Sequence, residues 1–203
     1  MSSNLKYFDP NELKALGLKS VGEEVRISKS ARIYHPERIE VGSNVRIDDF
    51  CLLSPGKEGI KLGNYVHISA YCGLVGKARI ELKDFVGLSS RVYLYSSSDD
   101  YSGLSLTNPT VPTEYTDVES DTVMIGKHVI LGTCVTVLPG VTIGSSSAIG
   151  AYSLVNNDVP EGVIAVGQPC VEIRKRDLKH LELEERLLKT HKKAERNGCL
   201  NSC

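Results

Sequence analysis

Residues 125–160 read IGKHVI LGTCVT VLPGVT IGSSSA IGAYSL VNNDVP: six consecutive six-residue units, each opening on Ile, Leu or Val. Four of the six place Gly second, and the fifth residue is Val or Ser in all of them. An amphipathic helix brings its apolar face round every 3.6 residues, and a half-buried strand alternates without a break. A period of six does neither. It marks a solenoid, a parallel β-helix. Three hexads make one coil of a three-sided prism, and coils stack at about 4.8 Å, the spacing of hydrogen-bonded strands. The first residue of each hexad is expected to fill the axis, and the small or polar second residue to ease the corner.

The same period runs upstream. It covers 21–38, then 41–52, pauses in the Gly/Pro-rich SPGKEG (54–59), and resumes over 62–79 and 82–93. It is lost over 94–122, a polar stretch with two prolines. A connection that long inside a compact domain is uncommon and usually functional. Ahead of the repeats, Asp9 suits a helix N-cap, Pro10 the first helical position and Gly17 the C-terminal cap. Beyond them, 161–176 finishes the last coil and turns off it. Residues 177–195 are charged, with Leu178, Leu181, Leu183, Leu187 and Leu188 near helical spacing, which predicts a surface helix packed on the coils or on a neighbouring subunit. The tail after Arg196 is expected to fray. The chain is therefore expected to be all-β, with a short N-terminal helix and a C-terminal α-helix. Its expected organisation is an N-terminal helical segment (1–20), a β-helix (21–170) with a long loop at 94–122, and a C-terminal helix and tail (171–203).

A formal net charge of −1 offers no bulk attraction for nucleic acid or anionic membrane. No apolar run reaches about eighteen residues, so no membrane-spanning helix is expected. The N-terminus lacks the apolar region of a signal peptide, which points to a cytoplasmic protein. Six cysteines, at 51, 72, 134, 170, 199 and 203, form no CxxC pair and read as reduced thiols without a zinc or redox role.

Over roughly 20–176 the repeats, the long loop before the last coils, and Val166-Gly167-Gln168-Pro169-Cys170 after them resemble the hexapeptide-repeat acyltransferases. More narrowly they resemble the galactoside, maltose and xenobiotic acetyltransferase branch. That resemblance implies a left-handed helix, a homotrimer with sites between adjacent subunits, and acetyl-CoA as co-substrate with no metal. Three further segments are similar to sugar N-acetyltransferases of the dTDP-4-amino-4,6-dideoxyglucose type: NELKALGLKSVGEEVRIS, NVRIDDFCLLSPG and LSSRVYLYSSSDDYSG. The implied reaction moves acetyl to the amine of a nucleotide-linked 3-amino- or 4-amino-dideoxy sugar, for O-antigen or surface-glycan synthesis.

The broad branch keeps a catalytic His in its long loop. Aligned without gaps from the hexad 88–93, that position is Asp99, and 96–101 hold no His. Reference pKa values of about 6.5 for His and 3.9 for Asp differ by roughly 3.5 kcal/mol of proton affinity. A sugar hydroxyl needs a real base as it attacks. A neutral amine is already nucleophilic, and its excess proton can pass to a carboxylate or a water. Loss of the His therefore favours N- over O-acetylation. An O-acetyltransferase stays open as the alternative. A β-helical carbonic anhydrase does not fit, because His35, His67 and His128 are scattered; a non-catalytic scaffold would bind no CoA.

Asp99 is the candidate to bind or deprotonate the amine, with Asp100 unranked beside it. His67 ends the hexad LGNYVH, where the galactoside branch places the acceptor wall, and is a candidate substitute base. Asp48 and Asp49 form an acidic pair suited to an amino or hydroxyl group, and Ser69, Tyr71 and Tyr101 are candidates for the same pocket. His35, His128, His180 and His191 are read as ordinary surface residues. For CoA, which the family holds along a groove between prisms, small residues let pantetheine approach the backbone: Gly132, Thr133, Gly150 and Ala151. Asn156, Asn157, Gly167, Pro169 and the basic Arg174, Lys175 and Arg176 would meet adenine and phosphates. Val171 departs from the basic residue the family often has there.

Overall fold

The computed structural model describes residues 7–200, with side chains described for 7–190. His191, Cys199, Cys203 and the end of the tail lie outside the described side chains. The strands form a parallel β-helix of three sheets, one per face of the prism. Face one stacks Ser20–Val21, Ile39–Val41, Ile60–Leu62, Ile80–Leu82, Val123–Ile125 and Thr142–Ile143. Face two stacks Arg26–Ile27, Arg46–Ile47, His67–Ile68, Gly87–Leu88, Ile130–Leu131, Ala148–Ile149 and Val163–Val166. Face three stacks Arg32–Ile33, Leu52–Pro55, Gly73–Gly76, Tyr93–Tyr95, Thr136–Val137 and Leu154–Val155.

The first hexad residue points inward as expected. On face two, Ile47, Ile68, Leu88, Leu131 and Ile149 are paired neighbours in register, and all are buried. The fifth residue is buried as well: Val45, Val66, Val86 and Val129 complete the column beside them. Where that residue is Ser, the hydroxyl takes backbone partners. Ser147 Oγ donates to the Pro160 carbonyl at 2.6 Å and accepts from Val163 N–H at 3.2 Å, so the buried oxygen costs no lost hydrogen bond.

The corner works differently from the expectation. Left-handed backbone falls on the fourth hexad residue, not the second: Asn44, Tyr65, Phe85 and His128 on one edge, Phe50, Tyr71, Arg91, Cys134 and Tyr152 on another, all with φ between 57° and 64°. Such backbone costs a non-Gly residue roughly 1–2 kcal/mol, and stacking along the edge offsets part of it. Tyr65, Phe85 and His128 stack at 4.7 and 4.8 Å between ring centroids. Glycine at the second position answers close approach instead. A Cβ on Gly42 would sit 2.5 Å from Gly63 O, and one on Gly132 2.6 Å from Ala151 N.

Two expectations shift at the ends of the repeats. Leu94 is fully buried and pairs with Val137, so the loop begins after Tyr95. It is not structureless: Ser97–Asp99 and Val118–Ser120 form an antiparallel pair, and Thr113–Tyr115 a 3₁₀ turn. Past the last coil, Val171–Lys175 folds back antiparallel on Val163–Val166 and stays part of face two.

Helix α1 (Pro10–Ala15) has the predicted cap. Asp9 Oδ1 accepts from Asn11 and Glu12 N–H at 2.8 and 2.9 Å, and Glu12 Oε2 accepts from Asp9 N–H at 2.8 Å. Helix α2 (His180–Leu200) runs past Arg196, where fraying is expected. It docks on the edge between faces one and two, the edge that carries His128. Glu184 accepts from Lys127 Nζ and, at 2.7 Å, from His128 Nε2, while His180 meets His128 edge-on and shares a hydrogen bond with Ser146 Oγ. His128 and His180 are thus structural partners rather than unengaged surface groups.

Candidate active site

The antiparallel pair holds Asp99 out on the loop, opposite Val118. Its exposed carboxylate borders a pocket of about 620 Å³ between the loop and face three. Ser54 and Val75 of face three, Lys77 at the corner below, and Asn108, Thr113 and Thr116 of the loop share this pocket. Nothing among the described residues pairs with the Asp99 carboxylate. Asp100 is the opposite case. Its two oxygens accept from Ser102 N–H at 2.7 Å and Ser105 N–H at 2.9 Å. The Ser102 hydroxyl first, then these N–H groups, hold its carboxyl below the usual range. Asp100 shapes the loop tip and leaves Asp99 as the free carboxylate. Tyr101, on that tip, is 94% exposed.

The acidic pair 48–49 divides. Asp48, on face two, accepts from Arg46 Nε at 2.6 Å and from His67 Nε2 at 2.9 Å, so two of the candidates meet. Asp49 turns to the next corner, where Ser28 and Ser30 hydroxyls hydrogen-bond its carboxylate and keep it acidic. Ser69 follows Ile68 on the same face, and its carbonyl accepts from Cys51 Sγ at 3.1 Å. Tyr71 stacks on Phe50 at 5.1 Å and lies under Arg91. This group is on face two and its edge with face three. The loop bearing Asp99 leaves the opposite edge, between faces three and one. One chain does not bring the two groups together.

The cofactor candidates separate in the same way. Gly132, Thr133, Gly150, Ala151, Gly167 and Pro169 run up the edge between faces two and three. Gly132 and Gly150 N–H groups are already bonded to Ile149 and Ala165 carbonyls at 2.8 Å each. The N–H groups of Thr133 and Ala151 have no partner among the described residues. Asn156 and Asn157 end face three on the loop's side, two coils above it. Arg174 pairs with Ile164 across face two, and Lys175 binds Glu172 at 2.9 Å. Arg176 Nη1 donates to the carbonyls of His128, Ser146 and Ser147 at 3.0–3.1 Å, which ties it to the corner that α2 covers.

Cys51, Cys72, Cys134 and Cys170 are free thiols. The Cys51 contact and then burial push the Cys72 thiol up, which leaves it inert. Among the described residues no cluster could hold a metal, and no helix is long and apolar enough to cross a membrane. Lys77 escapes a residue-by-residue reading. Only coil register brings it to the pocket of Asp99.

No family model matches the chain. It is 47% identical over 180 residues, 89% of this chain and 94% of the relative, to dTDP-4-amino-4,6-dideoxy-D-glucose acyltransferase of Escherichia coli. The chain belongs to the dTDP-4-amino-4,6-dideoxy-D-glucose acyltransferase family. Its fold matches another acyltransferase, AntD, an N-acyltransferase from Bacillus cereus, of which a point mutant was solved with dTDP-4-amino-4,6-dideoxyglucose and coenzyme A. The TM-score is 0.89 at 42% identity, covering 92% of this chain and 99% of AntD. AntD was also solved with dTDP and 3-hydroxybutyryl-CoA, with a TM-score of 0.88 at 43% identity, covering 92% of this chain and 98% of AntD. A putative lipopolysaccharide biosynthesis O-acetyl transferase of Escherichia coli K12, WbbJ, is 28% identical over 73% of this acyltransferase and 74% of its own length.

Proposed function

We propose that this acyltransferase moves acetyl from acetyl-CoA to the amine of a dTDP-linked 4-amino-4,6-dideoxy sugar. The supporting observation is 47% identity over nearly the full length of a relative named for that acceptor, together with a free carboxylate, Asp99, where the O-acetylating branch has His. The neutral amine attacks the thioester carbonyl. A C–N bond forms, the C–S bond breaks, the proton on nitrogen passes to Asp99, and CoA leaves as thiolate to be protonated from water. The Thr133 and Ala151 N–H groups stabilise the oxyanion, Asp48 and His67 position the sugar, and no acyl-enzyme forms. The working unit is a cytoplasmic homotrimer with sites between subunits, serving lipopolysaccharide or other surface-glycan synthesis.

The test is an acceptor and donor matrix read by thiol release. It sets acetyl-CoA and 3-hydroxybutyryl-CoA against dTDP-4-amino-4,6-dideoxyglucose, its 3-amino isomer and a hydroxyl-only analogue. Turnover is expected with the 4-amino sugar and acetyl-CoA. Turnover of the hydroxyl acceptor alone defeats N-acylation, and preference for the hydroxybutyryl donor replaces acetyl with a longer acyl group.

A further inference from the structure

The pocket under the loop carries two opposite charges that do not neutralise each other. Several other lysines along the coils are spoken for, Lys61 and Lys83 by Glu81, Lys127 by Glu184 and Lys19 by Glu40. Lys77 and Asp99 line one pocket, yet neither forms an ion pair among the described residues. Both rest on firm backbone. Lys77 N–H donates to Ser97 Oγ at 3.3 Å, and glycines at 56 and 76 let the coils close at this corner, since a Cβ on either would run into Lys77 or Ser96. Ser97 and Asp99 are two residues apart on one strand, so their side chains leave the same side. Because Ser97 Oγ meets the Lys77 backbone N–H, that side is the one toward the main chain of the lysine's corner, with Asp99 roughly 7 Å further along the strand.

We propose that Lys77 takes the diphosphate of the nucleotide-linked amino sugar in the pocket where Asp99 takes its amine. This rests on the acceptor assigned above. In such a sugar the 4-amine and the 1-phosphate stand at opposite ends of one pyranose ring. One ring therefore bridges a group that seeks a cation and a group that seeks an anion. An unpaired ammonium on a fixed corner is a point-charge phosphate ligand. The hydroxyls of Ser54, Thr113 and Thr116 suit the sugar between them.

The test compares wild type with Lys77→Met and Lys77→Arg, measuring KM for the dTDP-amino sugar, KM for acyl-CoA, and turnover of the same amino sugar without its nucleotide. Lys77→Met is expected to raise KM for the dTDP-sugar about tenfold, the loss of one charge-assisted hydrogen bond. Acyl-CoA KM should stay within about twofold, Lys77→Arg should restore most of the affinity, and the phosphate-free sugar should suffer no added penalty. An unchanged dTDP-sugar KM overturns the proposal, as does an equal loss on the phosphate-free sugar or a loss confined to acyl-CoA. Calorimetry with dTDP alone separates this from the acceptor reading. If wild type transfers no acyl group but binds dTDP, and Lys77→Met weakens that binding, the acceptor reading fails and the lysine stands. If wild type does not bind dTDP, the lysine falls.

Discussion

Asp99, not Asp100, is the carboxylate proposed to take the amine's proton, because its neighbour is already engaged. Asp100 spends both oxygens on the loop tip, whereas Asp99 faces the pocket unpaired. Asp99→Asn keeps the shape and removes the proton acceptor. It is expected to lower kcat about 10²- to 10³-fold, within the usual range for a general base, with acyl-CoA KM nearly unchanged. Asp100→Asn should leave kcat within a few fold, since its amide oxygen still accepts from one of the two loop N–H groups and only the other bond is lost. Stopped-time thiol release on both variants checks the pair, and equal losses would defeat the distinction. Asp99 was legible in sequence because it lies six residues beyond the end of the hexad 88–93, whose register is certain. Lys77 was not. It lies one coil below, so its sharing a pocket with Asp99 depends on how coils stack rather than on neighbourhood in the chain. The Asp48–His67 contact is hidden for the same reason.

Among the elements, α2 shows how far pattern reading reaches. Its leucines and charges predict a surface helix, but its anchor is a ladder that forms only when coils stack, with Tyr65 and Phe85 leading to His128 and then to His180 and Glu184. That anchor is pH-sensitive. Burial, then the charges of Arg176 and His128, lower the His180 pKa, with Asp177 opposing. Burial alone would raise the Glu184 carboxyl, but hydrogen bonds from Lys127 and His128 outweigh it and hold it low. Both folded-state pKa values lie below their unfolded ones. Each group therefore contributes stability above its unfolded pKa, about 6.5 for His and 4.3 for Glu, which is lost as pH falls through its folded value. Amide exchange over 180–190, corrected for intrinsic rates, is expected to quicken from pH 7 to 5 through His180 and again below about 4.5 through Glu184. Glu184→Gln should show fast exchange already at pH 7, and His180→Gln should flatten the upper phase. A wild-type profile flat from pH 7 to 4 would refute the anchor.

For the whole molecule, the prism decides how a site can be completed. The hexad period alone foretold three faces and an aliphatic axis, because each hexad repeats one steric problem; the terminal helices came instead from the capping residues around Pro10 and the leucine spacing after Asp177. It could not foretell that the acceptor candidates divide between sides. Asp48 and His67 sit on face two, and Asp99 hangs from the edge opposite. A rigid stack cannot bend one toward the other, so a site using both takes the loop of one chain and face two of the next. In a cyclic trimer every loop then meets a neighbour's face. Asp99→Asn and His67→Ala are each expected to be poorly active alone. Unfolded together at equal ratio and refolded, they should form sites that draw Asp99 from one variant and His67 from the other. Random mixing gives about a quarter of all sites both intact groups, so activity should climb toward a quarter of wild type. Mixing the folded proteins without exchange should give nothing. If the co-refolded mixture stays at the mean of its parents, the two residues do not serve one shared site.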